Sequence, residues 1–377
     1  MTELRHLDEG ALARRLDGTD DSDERRHTEG HLADCASCRE EWVGLRRVVR
    51  ARARRQRVMH YARRVALYTS PALAAAAALL LWVRSSGTPA TEMAARHGRQ
   101  PVVTTAWLAG HLTDPTVVVL QLDQPGMPQL KGPLYATGHI PGAREVGYAH
   151  LVANTNGLKA ELPPADSLRS FLETLGVSSS SHVILSGGPL LVARAYFTLC
   201  YLGITDVSVL DGGVTRWRQE GRPTVTTEPR VARGRIESPL DPAILAHEDY
   251  VLGHLGKPGV SFVDARTPAE YDGTGEWQGV PSTGHIEGAR LLEWREMFEN
   301  DSDFTLRSRP ALEAMMRQRV TPGDTVVAYC FNGGRSSTTY LVAVLLGYPA
   351  KLYDGSYEEW SRDHLPTVRS PTPLLTS

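Results

Sequence analysis

Of the four cysteines in this 377-residue chain, Cys330 stands where a thiol can do chemistry. It ends the apolar run VVAYC, is followed by FNGGR, and then by SSTTYLVAVLLG, whose apolar residues recur at helical spacing. That pattern predicts a strand, a tight loop and a helix with the thiol at the turn. Backbone N–H groups of such a loop, with those at the helix start, converge on one point and stabilise negative charge there. A Cys so placed is held as thiolate, the nucleophilic form. Gly333 and Gly334 let the backbone curl round the sulfur without a Cβ clash, and Arg335 adds a fixed positive charge. The competing reading is a buried Cys that closes a core strand.

A second group lies near the N-terminus. His31, Cys35 and Cys38 are spaced H-x3-C-x2-C. An i, i+4 pair puts His31 and Cys35 on one helix face, and the turn to Cys38 brings a second thiolate to the same point, which suits tetrahedral zinc. One ligand is missing, and His6 and His27 are both candidates. A redox dithiol of Cys35 and Cys38 competes and is compatible with zinc, because oxidation of a bound pair releases the metal. The stretch resembles the zinc-finger domain of anti-sigma factors, and that resemblance implies His6 as the fourth ligand and a sigma factor as a candidate partner.

These groups need elements to position them, and the sequence repeats itself in supplying them. GHIPGA at Gly138 returns as GHIEGA at Gly284, and VSVLDGGVTRW at Val207 as AKLYDGSYEEW at Ala350. A period of about 145 residues with the same ordered marks means two copies of one domain, here 102–225 and 240–365. Each alternates short apolar strands (VVVLQL, HVILS, VSVL; SFVDAR, TVVAYC, AKLYD) with helical segments, so an α/β fold with a parallel sheet buried on both faces is expected. Counting back from Leu202 and Leu346 puts Ser186 at the place of Cys330, in a loop, SGGPLL, that has no Arg. Copy one therefore reads as chemically silent, with Cys200 a core residue.

Four ordered segments of copy two, VDARTPAEY (263–271), GHIEGA (284–289), CFNGGRS (330–336) and YDGSYEEW (353–360), resemble the rhodanese (sulfurtransferase) family, and the resemblance runs from about 102 to 365. It implies two tandem rhodanese-like domains, the second catalytic, and a Cys330 persulfide formed from a small sulfur-bearing anion and passed to a nucleophile, with no cofactor for that chemistry. The six-residue loop suits a sulfur substrate, since the related phosphatases carry one residue more. Phe331, Asn332, Gly333, Gly334 and Ser336 then surround the substrate, with Arg335 and Arg266 as its anion contacts. Arg266 has a second reading as a brace paired with Asp264 or Glu270. Asp264 reads as a strand-end brace, and His285 as a shaper of its turn. CFNGGR matches neither the loop of thiosulfate enzymes nor that of mercaptopyruvate enzymes, so the donor stays open.

Ahead of the repeats, 1–45 reads as the helical zinc module and 46–64 as a basic segment with Arg46, Arg47, Arg50, Arg52, Arg54, Arg55, Arg57, Arg63 and Arg64. Residues 65–83 carry no charge and are just long enough to span a bilayer; a buried helix of a soluble domain is the alternative. The Arg excess before them places the N-terminus in the cytoplasm, and 84–101 then link a bacterial inner-membrane span to extracytoplasmic domains. Net charge of −2 says nothing about partners, no direct nucleic-acid binding is expected, and four cysteines in a chain this size do not make a disulfide framework. Three functions fit: a membrane-anchored sulfurtransferase, a transmembrane regulator whose outer domains sense sulfur or redox state, and a pair of binding modules without turnover.

Overall fold

The computed structural model describes Asp23 and residues 101–123, 135–155, 157–300 and 305–369. His6, His27, His31, Cys35, Cys38, the basic segment and the apolar stretch 65–83 lie outside these residues. Among the described residues no helix is long and apolar enough to cross a membrane.

Copy one runs β1 (Val102–Val103), α1 (Thr105–His111), β2 (Val117–Asp123), β3 (Arg144–Gly147), β4 (Ala153–Thr155), β5 (Leu158–Glu161), α2 (Ala165–Thr174), β6 (His182–Gly187), α3 (Pro189–Tyr201), β7 (Val207–Leu210) and α4 (Gly213–Gln219). Copy two runs β8 (Leu245–Ala246), α5 (Glu248–His254), β9 (Val260–Asp264), α6 (Pro268–Tyr271), β10 (Glu276–Trp277), β11 (Val280–Pro281), β12 (His285–Ile286), β13 (Arg290–Leu291), α7 (Arg309–Arg317), β14 (Thr325–Tyr329), α8 (Ser336–Leu345), β15 (Ala350–Tyr353), α9 (Ser356–Arg362) and β16 (Thr367–Val368). The two main sheets have one topology. Their orders are β1-β7-β6-β2-β3 and β8-β15-β14-β9-β13, and every pairing within them is parallel.

Burial of both faces explains the continuous apolar runs. Val118, Leu120 and Leu122 of β2 enter one core cluster with α2 and α3, while Val117 and Val119 enter another with Leu108 of α1 and Trp217 of α4. The first cluster continues without a break into Val263, Val326, Ala328 and Leu352 of copy two. The copies thus share one core. At its centre lie α3 and α8, buried along most of their length, with Phe197 set edge-on against Tyr340 at 5.1 Å between ring centroids.

The shared topology corrects one position. Asp264 faces Tyr329 across β9 and β14, and Gln121 faces Ser186 across β2 and β6. A side chain at Gly213 would come 3.2 Å from the Gly187 nitrogen, as the Ser356 hydroxyl comes 3.2 Å from the Cys330 nitrogen. Gly187, not Ser186, therefore occupies the place of Cys330. Counting back from the helix ends fails by one position because α3 is three residues longer than α8 while the loop before it is four residues shorter, which leaves copy one a residue short between strand and helix end.

Candidate active site

The thiol sits at the end of a strand whose exit is over-determined. Cys330 and Gly333 both donate their backbone N–H to the Ser356 hydroxyl, at 3.2 and 3.1 Å, and that hydroxyl donates to the Tyr353 carbonyl at 2.6 Å. From the start of α9, the N–H groups of Tyr357 and Glu358 bond the Cys330 and Phe331 carbonyls at 3.0 and 2.8 Å. Ser336 and Ser337 spend their hydroxyls on the Gly333 carbonyl. The carbonyls are thereby turned outward. The N–H groups of Phe331, Asn332, Gly334 and Arg335 make no hydrogen bond among the described residues, and four such donors in six residues form the kind of backbone concavity that holds an anion. Gly333 has φ +80°, and a Cβ there would lie 2.6 Å from Asp354 Oδ1, so the loop path requires glycine.

The two arginines divide differently from the sequence reading. Arg266, 0% exposed, bonds Asp264 through Nε and Nη2, Ser282 through Nη1 at 3.1 Å and the Gly284 carbonyl at 2.8 Å. It lies 3.9 Å over the Tyr357 ring and does not line the cavity described below. Its geometry is that of a brace, with Asp264 as partner. Arg335 forms a bidentate pair with Glu270 at 2.7 and 2.8 Å and stacks 4.0 Å from the Trp277 centroid. Burial opposes its charge, but Glu270 and the nearby Cys330 charge outweigh it and hold the guanidinium protonated. Glu270 is delivered by α6, capped by Thr267 in a reciprocal capping box. His285 bonds the Tyr271 carbonyl at 3.0 Å and stacks on that ring at 3.6 Å, which shapes the turn.

Above the loop lies a cavity of about 440 Å³. Asn332, Gly334 and Arg335 form one wall, with Trp277 and Trp294 beside them; Tyr148, Lys159 and Leu191 of copy one belong to the other. Phe331 is buried. Cys330 has no exposed surface, so the loop stands between solvent and the thiol. At the matching place in copy one, around Gly187, only about 30 Å³ remains, lined by Phe298 and Leu306 of copy two. That site has no thiol and is filled. Cys200 is buried, and burial pushes its thiol up to about 12.

Copy one also reaches the Cys330 loop. Arg194 of α3, 0% exposed, pairs with Asp354 through both terminal nitrogens and bonds the Ala160 carbonyl at 2.9 Å. The Leu162 N–H adds a bond to Asp354 at 2.8 Å. Glu161 is pushed up to about 8 by burial, with Asp354 adding to the shift and Arg194 opposing it. The mirrored contact around Gly187 is thinner. Leu306 N–H bonds Asp211 at 3.2 Å, but Asp211 pairs with Arg216 of its own copy, and Thr338, which sits where Arg194 does, has a buried hydroxyl with no partner among the described residues. Sequence reasoning missed Arg194, Ser356 and Tyr148. A lone Arg in the apolar run LLVARAYFTLCYLG was a usable signal, because a buried guanidinium demands a carboxylate.

The rhodanese-like domain matches residues 104–220 and 247–363. The chain belongs to the rhodanese-like family. It is 34% identical over 274 residues to the sulfur carrier protein TtuD of Thermus thermophilus, covering 69% of this chain and 93% of that protein. It is 32% identical to the thiosulfate sulfurtransferase of Azotobacter vinelandii, with the same 69% and 93% coverage. Among solved structures, SseA from Escherichia coli, described as a 3-mercaptopyruvate sulfotransferase, superposes with a TM-score of 0.59 at 25% identity over 68% of this chain and 99% of its own. This rhodanese-like chain thus has two copies of the fold, of which the second carries a Cys loop.

Proposed function

We propose that this protein is a rhodanese-type sulfurtransferase in which Cys330 carries the sulfur. The Cys330 thiolate attacks the sulfane sulfur of thiosulfate or a related donor, the S–S bond of the donor breaks, and the electron pair leaves with sulfite. The enzyme then holds a persulfide anion, whose outer sulfur is taken by a nucleophilic acceptor to restore the thiolate. Four unspent loop N–H groups supply electrostatic stabilisation of both anions. Arg335, held rigid by Glu270, adds positive charge at the loop and borders the cavity where the donor's anionic end is read. The observation that carries the reading is the pairing of a six-residue Cys loop with an open cavity in copy two, where copy one has a glycine and a filled space.

The test is sulfur transfer from thiosulfate to cyanide by the full chain, with a mass spectrum after donor alone. A product and a one-sulfur gain on Cys330 are expected, and both vanish in Cys330→Ser. Turnover that persists in that variant overturns the assignment.

The N-terminal region adds a second element to the proposal, supported by its sequence pattern. His6, His31, Cys35 and Cys38 hold a structural or regulatory zinc ion, and residues 65–83 anchor the chain to the bacterial inner membrane with the sulfur-transfer copies outside. A sigma factor bound by the module would make the protein a regulator that reports sulfur or redox state. Zinc content of the full chain against His31→Ala, together with membrane fractionation, tests this arm: equal zinc, or a chain that stays with the soluble fraction, refutes the corresponding part.

A further inference from the structure

The cavity wall contributed by copy one holds a phenol that the reaction described so far does not use. Tyr148 follows β3 directly, lines the cavity with Asn332, Gly334 and Arg335, and places its hydroxyl 3.7 Å from where a Cβ on Gly334 would stand. That hydroxyl has no hydrogen-bond partner among the described residues. The hairpin that follows fixes the wall: Arg194 grips the Ala160 carbonyl, the Lys159 N–H bonds Glu358 at 3.0 Å, and the Leu162 N–H bonds Asp354. An unspent donor is thus held by copy one at the mouth of the copy-two loop.

We infer that the Tyr148 hydroxyl is a catalytic residue, supplied by the silent copy, that donates a hydrogen bond to the outer sulfur of the Cys330 persulfide. This rests on the sulfur-transfer reading above. In the donor step the Cys330 thiolate and thiosulfate, with three negative charges between them, become a persulfide anion and sulfite, again with three. A sulfur–sulfur bond forms at Cys330 as the donor's breaks, and no proton moves. The charge that started on the Cys330 sulfur ends on the outer sulfur, one atom further from the Cys330 backbone. A donor on the opposite wall meets it there. The phenol is suited to stay a donor, since burial foremost, then the charges of Cys330 and Asp354, push its ionisation up against the pull of Arg194.

The experiment reads an equilibrium. The full chain is mixed with thiosulfate and sulfite at varied ratio, and the fraction of persulfidated Cys330 is read by intact mass. Tyr148→Phe keeps the ring and removes only the donor, so half-persulfidation should need about a tenfold higher thiosulfate-to-sulfite ratio, equal to about 1.4 kcal/mol, with an unchanged urea midpoint. An unchanged ratio overturns the inference, as does a shift that comes with a lowered midpoint, which would assign Tyr148 to folding. A wild-type chain that forms no persulfide overturns the sulfur-transfer reading and this inference together. A wild-type chain that forms it as readily as Tyr148→Phe overturns this inference alone.

Discussion

Replacing Arg194 by Met should damage the Cys330 loop from the other copy. Arg194 is fully buried, and its guanidinium satisfies both oxygens of Asp354 and the Ala160 carbonyl. Met fills similar volume, so packing changes little, but Asp354, 6% exposed, loses its counter-charge and retains the Leu162 N–H. Breaking one side of a buried pair typically costs about 3–5 kcal/mol, because the other charge stays desolvated. Asp354→Asn should cost a similar amount by stranding Arg194. The double variant removes both charges and should cost no more than either single variant, leaving a coupling of at least about 3 kcal/mol in the double-mutant cycle. Urea unfolding at pH 7 supplies the stabilities, and thiosulfate–cyanide turnover supplies the second readout. Asp354 lies against Gly333, so turnover in Arg194→Met should fall by about tenfold or more even well below the unfolding midpoint. Additivity within about 0.5 kcal/mol, or full turnover in Arg194→Met, would refute the argument that copy one clamps the loop.

Two further outcomes follow from the same geometry. Gly333→Ala puts a methyl 2.6 Å from Asp354 Oδ1 at φ +80° and should cost at least about 1 kcal/mol of backbone strain and abolish persulfide formation, read by urea midpoint and intact mass. The third concerns pH. Burial raises the Glu270 carboxyl, but the bonds from Arg335 and Thr267 outweigh it and hold it below the ordinary 4.5. A carboxyl with a lowered folded-state value contributes stability above about 4.5 that is lost as pH falls through its folded value. The urea midpoint of the wild type should therefore decline below about pH 4.5 more steeply than that of Glu270→Gln, and parallel curves would exclude the pair as the cause.

The central strands were readable because burial on both faces makes each a continuous apolar run. The edge strands β1, β8 and β13 were not, since two residues carry no period. In the site, the Cys330 loop, its glycines and the lack of a cysteine at the matching place in copy one were legible, each resting on a local pattern. The partners of the arginines were not. Asp264 and Glu270 both stood open to Arg266, and only the fold shows that Arg266 turns back on its own strand end while α6 presents Glu270 to Arg335, 65 residues away. Arg194 and Asp354 are 160 residues apart, and no local spacing encodes such a meeting. The position of Gly187 was hidden for a related reason: equal offsets from a helix end assume that loop and helix together have equal length, and in copy one they are a residue shorter.

The filled space around Gly187 bears on how the two halves of the chain depend on each other. Phe298 and Leu306 plug it, just as Tyr148 and Leu191 wall the live cavity, so each half closes a face of the other. The two copies are thus related as the subunits of a two-fold homodimer are, with a Cys loop at one of the two equivalent places and interface at the other. Asymmetry of this kind lets one half evolve as a fixed lid, free of any demand to react, while the other keeps the chemistry. Cutting the chain between the repeats would uncover a plug and a wall at once, and neither half would inherit a working centre.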